Sequence, residues 1–265
     1  MESNLFKLNL DEVQKNTEKV FGRDNKFSFD LESLHKDSKC LVSDNLTSLE
    51  CLSVIRSKLV KHVLQNSIQS LDDKLEKLKD IFFNHEKYFE ESFRLLSGVS
   101  YVRVFDIQSD RYNIVDETFS KMSSFSENVK DQSLKQVTTE LIMNAQIDAP
   151  KISGNKSTKD SILILEKDDS KGLFAISVID YYGSLDCYKM LENIYAAHKN
   201  GYHNAMSQNS IGAGLGGAMM YELADSLYIG AIPDQVSRVS VVLPYRVSER
   251  KIGHIQKSIH LIKEE

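Results

Sequence analysis

The sequence predicts an α+β fold: a two-layer α/β sandwich whose antiparallel-rich sheet carries helices on one face, preceded by a helix-rich N-terminal region. Three observations lead there. From Gly98 onward the apolar pattern alternates between period 2 and helical spacing, in the order strand, helix, helix, strand, strand, helix, loop, helix, strand, strand. This is not the regular alternation of a parallel α/β domain. The apolar runs Ile162 to Leu165 and Leu173 to Ile179 flank the polar turn Asp168-Asp169-Ser170-Lys171-Gly172, the pattern of an antiparallel hairpin. Finally, Leu46 to Leu96 contains no Gly or Pro and places its apolar residues at helical spacing.

Residues 1 to 45 show only one clear alternation, Lys26 to Leu31. Between 46 and 96 two helices are expected. The first has Leu52, Ile55, Leu59 and Val63 on one face; the second has Leu71, Leu75, Leu78, Phe82, Phe89 and Phe93, with Ser70 and Asp73 resembling a capping box. The pair suits either a helical hairpin or the seam of a homodimer. Val99 to Ile107 reads as a strand and Tyr112 to Phe125 as an amphipathic helix. Ser126 to Ile147 reads as a second helix, burying Leu134, Val137, Leu141 and Ala145 and stopped by Pro150. A helix from Asp186 to His198, a polar loop from Lys199 to Ser210, a helix from Gly214 to Ala224 and strands at Leu227 to Ile232 and Val236 to Leu243 complete the series. The tail from Tyr245 is expected to be partly helical, with Lys251, Lys257 and Lys263 solvated. The implied division is 1–97, helix-rich; 98–245, the sandwich; and 246–265, a tail.

The composition narrows the function classes. A net charge of −5 over 265 residues argues against nucleic acid or an anionic membrane as a direct partner. The three cysteines, Cys40, Cys51 and Cys187, are odd in number and lack C-x-x-C spacing, so neither a disulfide framework nor a zinc site is expected. A reducing cytoplasm fits them best. The first residues, Met1-Glu2-Ser3-Asn4, do not resemble a targeting segment, and no run has the length of a membrane span.

Chemistry is concentrated in three places. Ile211-Gly212-Ala213-Gly214-Leu215-Gly216-Gly217 packs four of the chain's 12 glycines into six residues at the start of a helix. Glycine costs about 1 kcal/mol against alanine inside a helix, so a bare backbone is expected to serve either a tight turn or a phosphate. The stretch is neither a Walker motif nor a dinucleotide fingerprint. Upstream, Glu140, Asn144 and Asp148 are spaced four apart on one helix face beside Leu141 and Ala145. Their oxygens suit magnesium shared with phosphates, and a carboxylate there could orient or deprotonate a nucleophile. Asp148 also reads as a residue of the turn before Pro150. Third, Asp180 closes the apolar strand before Tyr181-Tyr182-Gly183-Ser184, where a buried carboxylate needs a donor such as a purine amine.

The order Glu-Leu-x-x-Asn-Ala on a helix, an Asp-to-Gly turn after a strand, then Gly-x-Gly-Leu-Gly opening a helix resembles the Bergerat-type (GHKL) ATPase superfamily over residues 99 to 244. It is most similar to the serine kinases that act as anti-sigma factors, whose ATPase domain is histidine-kinase-like. The resemblance implies ATP and Mg2+ as ligands. It implies Glu140 as catalytic base and Asn144 as the magnesium ligand, with Asp148 beside it. Asp180 and Gly183 would lie at the adenine. Gly212, Gly214, Leu215, Gly216 and Gly217 would lie at the phosphates, and residues 199–210 would form a lid. A regulatory partner protein, either an anti-anti-sigma-like substrate or a sigma-like factor, follows from the same resemblance. Asp180-Tyr181-Tyr182-Gly183 departs from the family's Asp-x-Gly-x-Gly, which leaves a non-catalytic nucleotide switch open beside the kinase. His85 marks a third alternative, a histidine kinase, against a packed histidine on the stripe of Leu78, Phe82 and Phe89.

Overall fold

The structure, a computed structural model, describes residues 27–28, 40–43, 46–58, 60–65, 71–125, 132–154, 157, 159–200, 215–245 and 257–263. The fold is mixed α/β. Its strands are β1 (Phe27–Ser28), β2 (Cys40–Ser43), β3 (His62–Gln65), β4 (Val99–Phe105), β5 (Ser161–Asp168), β6 (Leu173–Asp180), β7 (Ser226–Ile232), β8 (Val236–Pro244) and β9 (Ser258–Lys263). They form one nine-stranded sheet in the order β1-β2-β3-β9-β7-β8-β6-β5-β4. The β5–β6 hairpin forms where the sequence places it, and β6, β8 and β7 continue the antiparallel run. At the other end β1, β2 and β3 are mutually parallel. Strands from both sides of Gly98 thus share one sheet.

The helices are α1 (Ser48–Arg56), α2 (Leu71–Phe83), α3 (Arg111–Phe125), α4 (Gln132–Met143), α5 (Ala149–Ser153), α6 (Cys187–Asn200) and α7 (Leu215–Leu223). Except for α2, the long helices pack on one face, where Leu52, Val115, Leu141, Leu191 and Met220 meet Leu163, Ile176 and Val241. The opposite face is also covered. There Ile81, Tyr88, Phe89, Phe93 and Leu96 pack on Ile162, Ile164, Ala175 and Ile179. With both faces buried, the central strands are apolar at consecutive positions.

The expected pair of long helices in 46–96 is broken twice. Thr47 opens α1 with a capping box, its hydroxyl accepting from the Glu50 amide at 3.2 Å while Glu50 accepts from the Thr47 amide at 2.7 Å. The helix ends after Arg56 because Lys58 adopts a left-handed conformation, φ 64°, a role usually taken by glycine. Val63 therefore lies in β3, and Leu59 is outside the described residues. The second break is at Asn84, which caps a 3-10 turn, His85–Phe89, by accepting from the Lys87 amide. Ser70 lies outside the described residues, so the second capping box does too.

Two further expectations change. Pro150 does not stop the helix after Ile147. A π turn, Asn144–Asp148, links α4 to α5, the Ala149 amide donating to Asn144 five residues back, and Pro150 sits in the first turn of α5. The wider turn accommodates a residue that can neither donate nor tolerate the carbonyl four residues earlier. Gly154, φ 70°, closes α5. The tail supplies a strand, β9, parallel to β7 and antiparallel to β3. Lys257 is buried, its Nζ donating to the Ala224 carbonyl at 2.8 Å and to that of Glu222, at the C-terminal end of α7.

The segment over the second face is held by Arg238 of β8, which has no exposed surface. Its guanidinium donates to the carbonyls of Tyr88 (2.7 Å), Glu90 (3.2 Å) and Phe93 (3.3 Å) and to the Ser177 hydroxyl (3.1 Å). Arg238→Met removes these donors and leaves buried carbonyls unpaired, so equilibrium urea unfolding should report a loss of about 3 kcal/mol or more.

Candidate functional site

The candidate site forms on the helical face, where three segments distant in sequence converge. Glu140 lies in the last turns of α4, and Gly216 in the first turn of α7 packs directly against it: a side chain on Gly216 would run into the Glu140 carboxylate. Burial lifts the Glu140 pKa above the ordinary carboxylate range, and the charge of Asp148 adds to the rise. Asn144, half-buried, opens the π turn between them, a feature often found at functional sites. Gln146 anchors that turn, its Nε2 donating to the carbonyls of Asp106 (2.9 Å) and Ser109 (3.0 Å).

The third segment follows β6. Asp180 is nine-tenths buried, and its pKa is raised to about 6, mainly by that burial; the Tyr182 amide, donating at 3.1 Å, pulls the other way. Opposite it on β8 stands Ser237, fully buried, whose hydroxyl lies beside the carboxylate without completing a well-formed hydrogen bond. Sequence reasoning passed over Ser237, whose only signal is a small polar residue inside an apolar strand. The Ser184 hydroxyl donates to the Ala149 carbonyl at 3.2 Å, tying the segment after Asp180 to the end of the π turn.

The glycines divide by role. Gly183 has φ 58° and abuts the β7–β8 turn, where a Cβ would strike the backbone of Ile232 and Gln235. Gly217 presses on Ile194 of α6. Gly183, Gly216 and Gly217 therefore each have a packing reason to be bare, alongside any role toward a ligand. Leu215 begins α7. Gly212, Gly214 and residues 201–210 of the expected lid lie outside the described residues; Lys199 and Asn200 belong to α6.

His85 lies in the 3-10 turn whose Tyr88 and Phe89 pack on the second face, whereas Leu141 and Ala145 beside Glu140 pack on the first. The sheet separates the two. Among the described residues no three His, Cys, Asp or Glu side chains group to hold a metal. A magnesium ion held by Asn144 would have to draw most of its coordination from phosphate oxygens and water.

No protein-family model matches the chain, and no curated protein matches it either. No helix among the described residues is long and apolar enough to cross a membrane.

The raised pKa of Asp180 has a cost in stability. The folded carboxyl holds its proton up to about pH 6, whereas the unfolded one loses it near 3.8, so stability falls as pH rises through that interval. Asp180→Asn keeps the acceptor for the Tyr182 amide and removes the buried charge. The ligand-free variant should be more stable than the parent at pH 7 by about 3 kcal/mol and equal to it near pH 3, as read from denaturation at both pH values.

Proposed function

We propose that the chain binds Mg-ATP in a Bergerat-type site and transfers the terminal phosphate to a hydroxyl of a regulatory partner protein, in the manner of the anti-sigma serine kinases. The observation that carries this reading is the contact of Glu140 with Gly216 at the start of α7, with buried Asp180 tied to the same helix run through Ser184 and Ala149. These are the three motif segments that the resemblance requires to meet.

Each residue has a physical task. Asp180 accepts from the adenine amine, and Ser237 lies beside it in the same buried wall. Asn144 offers its amide oxygen to magnesium, whose charge neutralises the phosphates when bound. Glu140 takes the proton of the attacking hydroxyl, a task suited to a carboxylate whose basicity is raised by burial and by Asp148. Gly216 and Gly217, in the first turn of α7, lie at the positive end of that helix, which suits the phosphates that the resemblance assigns to this glycine stretch. Positioning and charge stabilisation supply most of the rate in such chemistry.

A second reading, nucleotide binding without turnover, rests on Tyr182 and Gly183. Tyr182 is buried and Gly183 is committed to the β7–β8 turn, so the adenine side differs from the family pattern. Turnover separates the two. With ATP and magnesium, slow phosphate release or transfer to the partner should fall roughly 100-fold or more in Glu140→Ala, with ATP affinity kept within a few-fold. Equal rates in parent and variant would favour the switch. Asn144→Ala should bind ATP without the gain that magnesium gives the parent.

A further inference from the structure

A row of polar side chains crosses the second face of the sheet, away from the candidate site. The register sets Cys40, His62, His260, Tyr228, Ser240 and Ser177 side by side on β2, β3, β9, β7, β8 and β6. At one end the hydroxyls satisfy one another, Ser177 donating to Ser240 at 2.7 Å and Tyr88 meeting Ser240 at 2.9 Å. The other end is different. His260 has no exposed surface, and among the described residues neither of its ring nitrogens finds a hydrogen-bond partner. Its ring lies 5.5 Å from that of His62 and 4.4 Å from that of Tyr228. From α2, Lys74 is the charged group that acts on it; the 3-10 turn contributes Tyr88 and Phe89, which pack with Ile262 of β9. Asp225 is already engaged, by Lys74 at 3.1 Å and by the Ser226 hydroxyl at 2.7 Å. Burial, His62 and Lys74 all oppose a proton on His260 and hold its pKa well below the ordinary value.

We infer that the β3–β9 joint is an acid-sensitive latch, in which two buried, directly opposed histidines hold the N-terminal strands to the sheet at neutral pH and release them on acidification. The joint is short. Three residue pairs, His62 with His260, Val63 with Ile259 and Leu64 with Ser258, join β3 to β9, whereas six join β9 to β7. β3 is therefore the side that separates. In the closed chain His260 stays neutral; in the opened chain its ring meets water and takes up a proton below about pH 6.5, the ordinary value. The closed state thus keeps its full stability above that pH and loses it as pH falls, the open population rising up to about tenfold per pH unit for each histidine that gains a proton on opening. The effect reaches α7. Ser48 and Lys74, on the elements flanking β3, hold the end of that helix through the Tyr221 hydroxyl at 2.9 Å and through Asp225.

Hydrogen–deuterium exchange on the ligand-free full chain, with each rate taken relative to the intrinsic rate at the same pH, tests the latch. The probes are the amides of Gln65 and Leu261, which donate across the joint to the carbonyls of Lys257 (2.8 Å) and Lys61 (2.7 Å), and that of Ala224 at the end of α7. Their protection should be constant above pH 6.5 and fall about tenfold or more between pH 6.5 and pH 5, while β5 and β6 keep theirs. His260→Phe keeps a ring that cannot take up a proton, so its pH dependence should be weaker by about that factor. In the parent, imidazole NMR should find His260 neutral at pH 5.5 in the closed chain. Joint protection that does not respond to pH overturns the proposal, as does a loss that reaches β5 and β6 equally. So does an unchanged pH dependence in His260→Phe, or a protonated His260 in the closed chain.

Discussion

The buried guanidinium of Arg238 is the constraint on which the arrangement of the molecule depends. A charge with no exposed surface is tolerable only when its donors are consumed, and here the carbonyls of Tyr88, Glu90 and Phe93 and the hydroxyls of Ser177 and Ser240 accept them. The rings of Tyr88 and Phe93 lie 4.9 and 5.5 Å from it, and Glu166, which accepts from the Leu96 amide at 2.7 Å, supplies a compensating charge. The interaction fastens an irregular segment across the second face of the sheet. The strands that carry the site are thereby buried on both sides, and Asp180 and Ser237 are held at fixed positions at one end of the neighbouring strands β6 and β8.

A second set of contacts joins the N-terminal elements to α7. The Tyr221 hydroxyl donates to the Ser48 carbonyl at 2.9 Å, Lys74 of α2 pairs with Asp225 at 3.1 Å, and Lys257 closes the C-terminal end of the helix. The helix that starts at the glycine turn is therefore gripped at its far end by α1, α2 and the lead into β9. This gives the N-terminal region a mechanical connection to the candidate site, through one short helix.

Much of this was legible in the sequence wherever local chemistry and tertiary structure agree. The β5–β6 hairpin follows from its polar turn, and the helix bearing Glu140 from its apolar stripe. Glu140, Asp148 and Asp180, singled out on separate stretches of sequence, lie on segments that meet on the helical face, a proximity that only the tertiary structure shows. The misreadings share a cause. Helix breaks were sought at Gly and Pro, but the chain breaks at Lys58 and Asn84, and it continues through Pro150 by widening one turn. β3 and β9 were missed because strands buried on both faces lose the alternation that identifies them; His62 and His260, both buried, gave no hint of a core. Gly216 and Gly217 were legible as special, but their contacts with Glu140 and Ile194 are tertiary facts.

The central claim is that Asp180, Asn144 and the glycine helix form one adenine-nucleotide pocket. Titration calorimetry of ATP into the full chain, with and without magnesium, tests it most directly. The account predicts saturable binding that magnesium strengthens, that GTP does not reproduce, and that Asp180→Asn abolishes while the variant stays folded. Absence of ATP binding at millimolar nucleotide, or binding unchanged by Asp180→Asn, would contradict it.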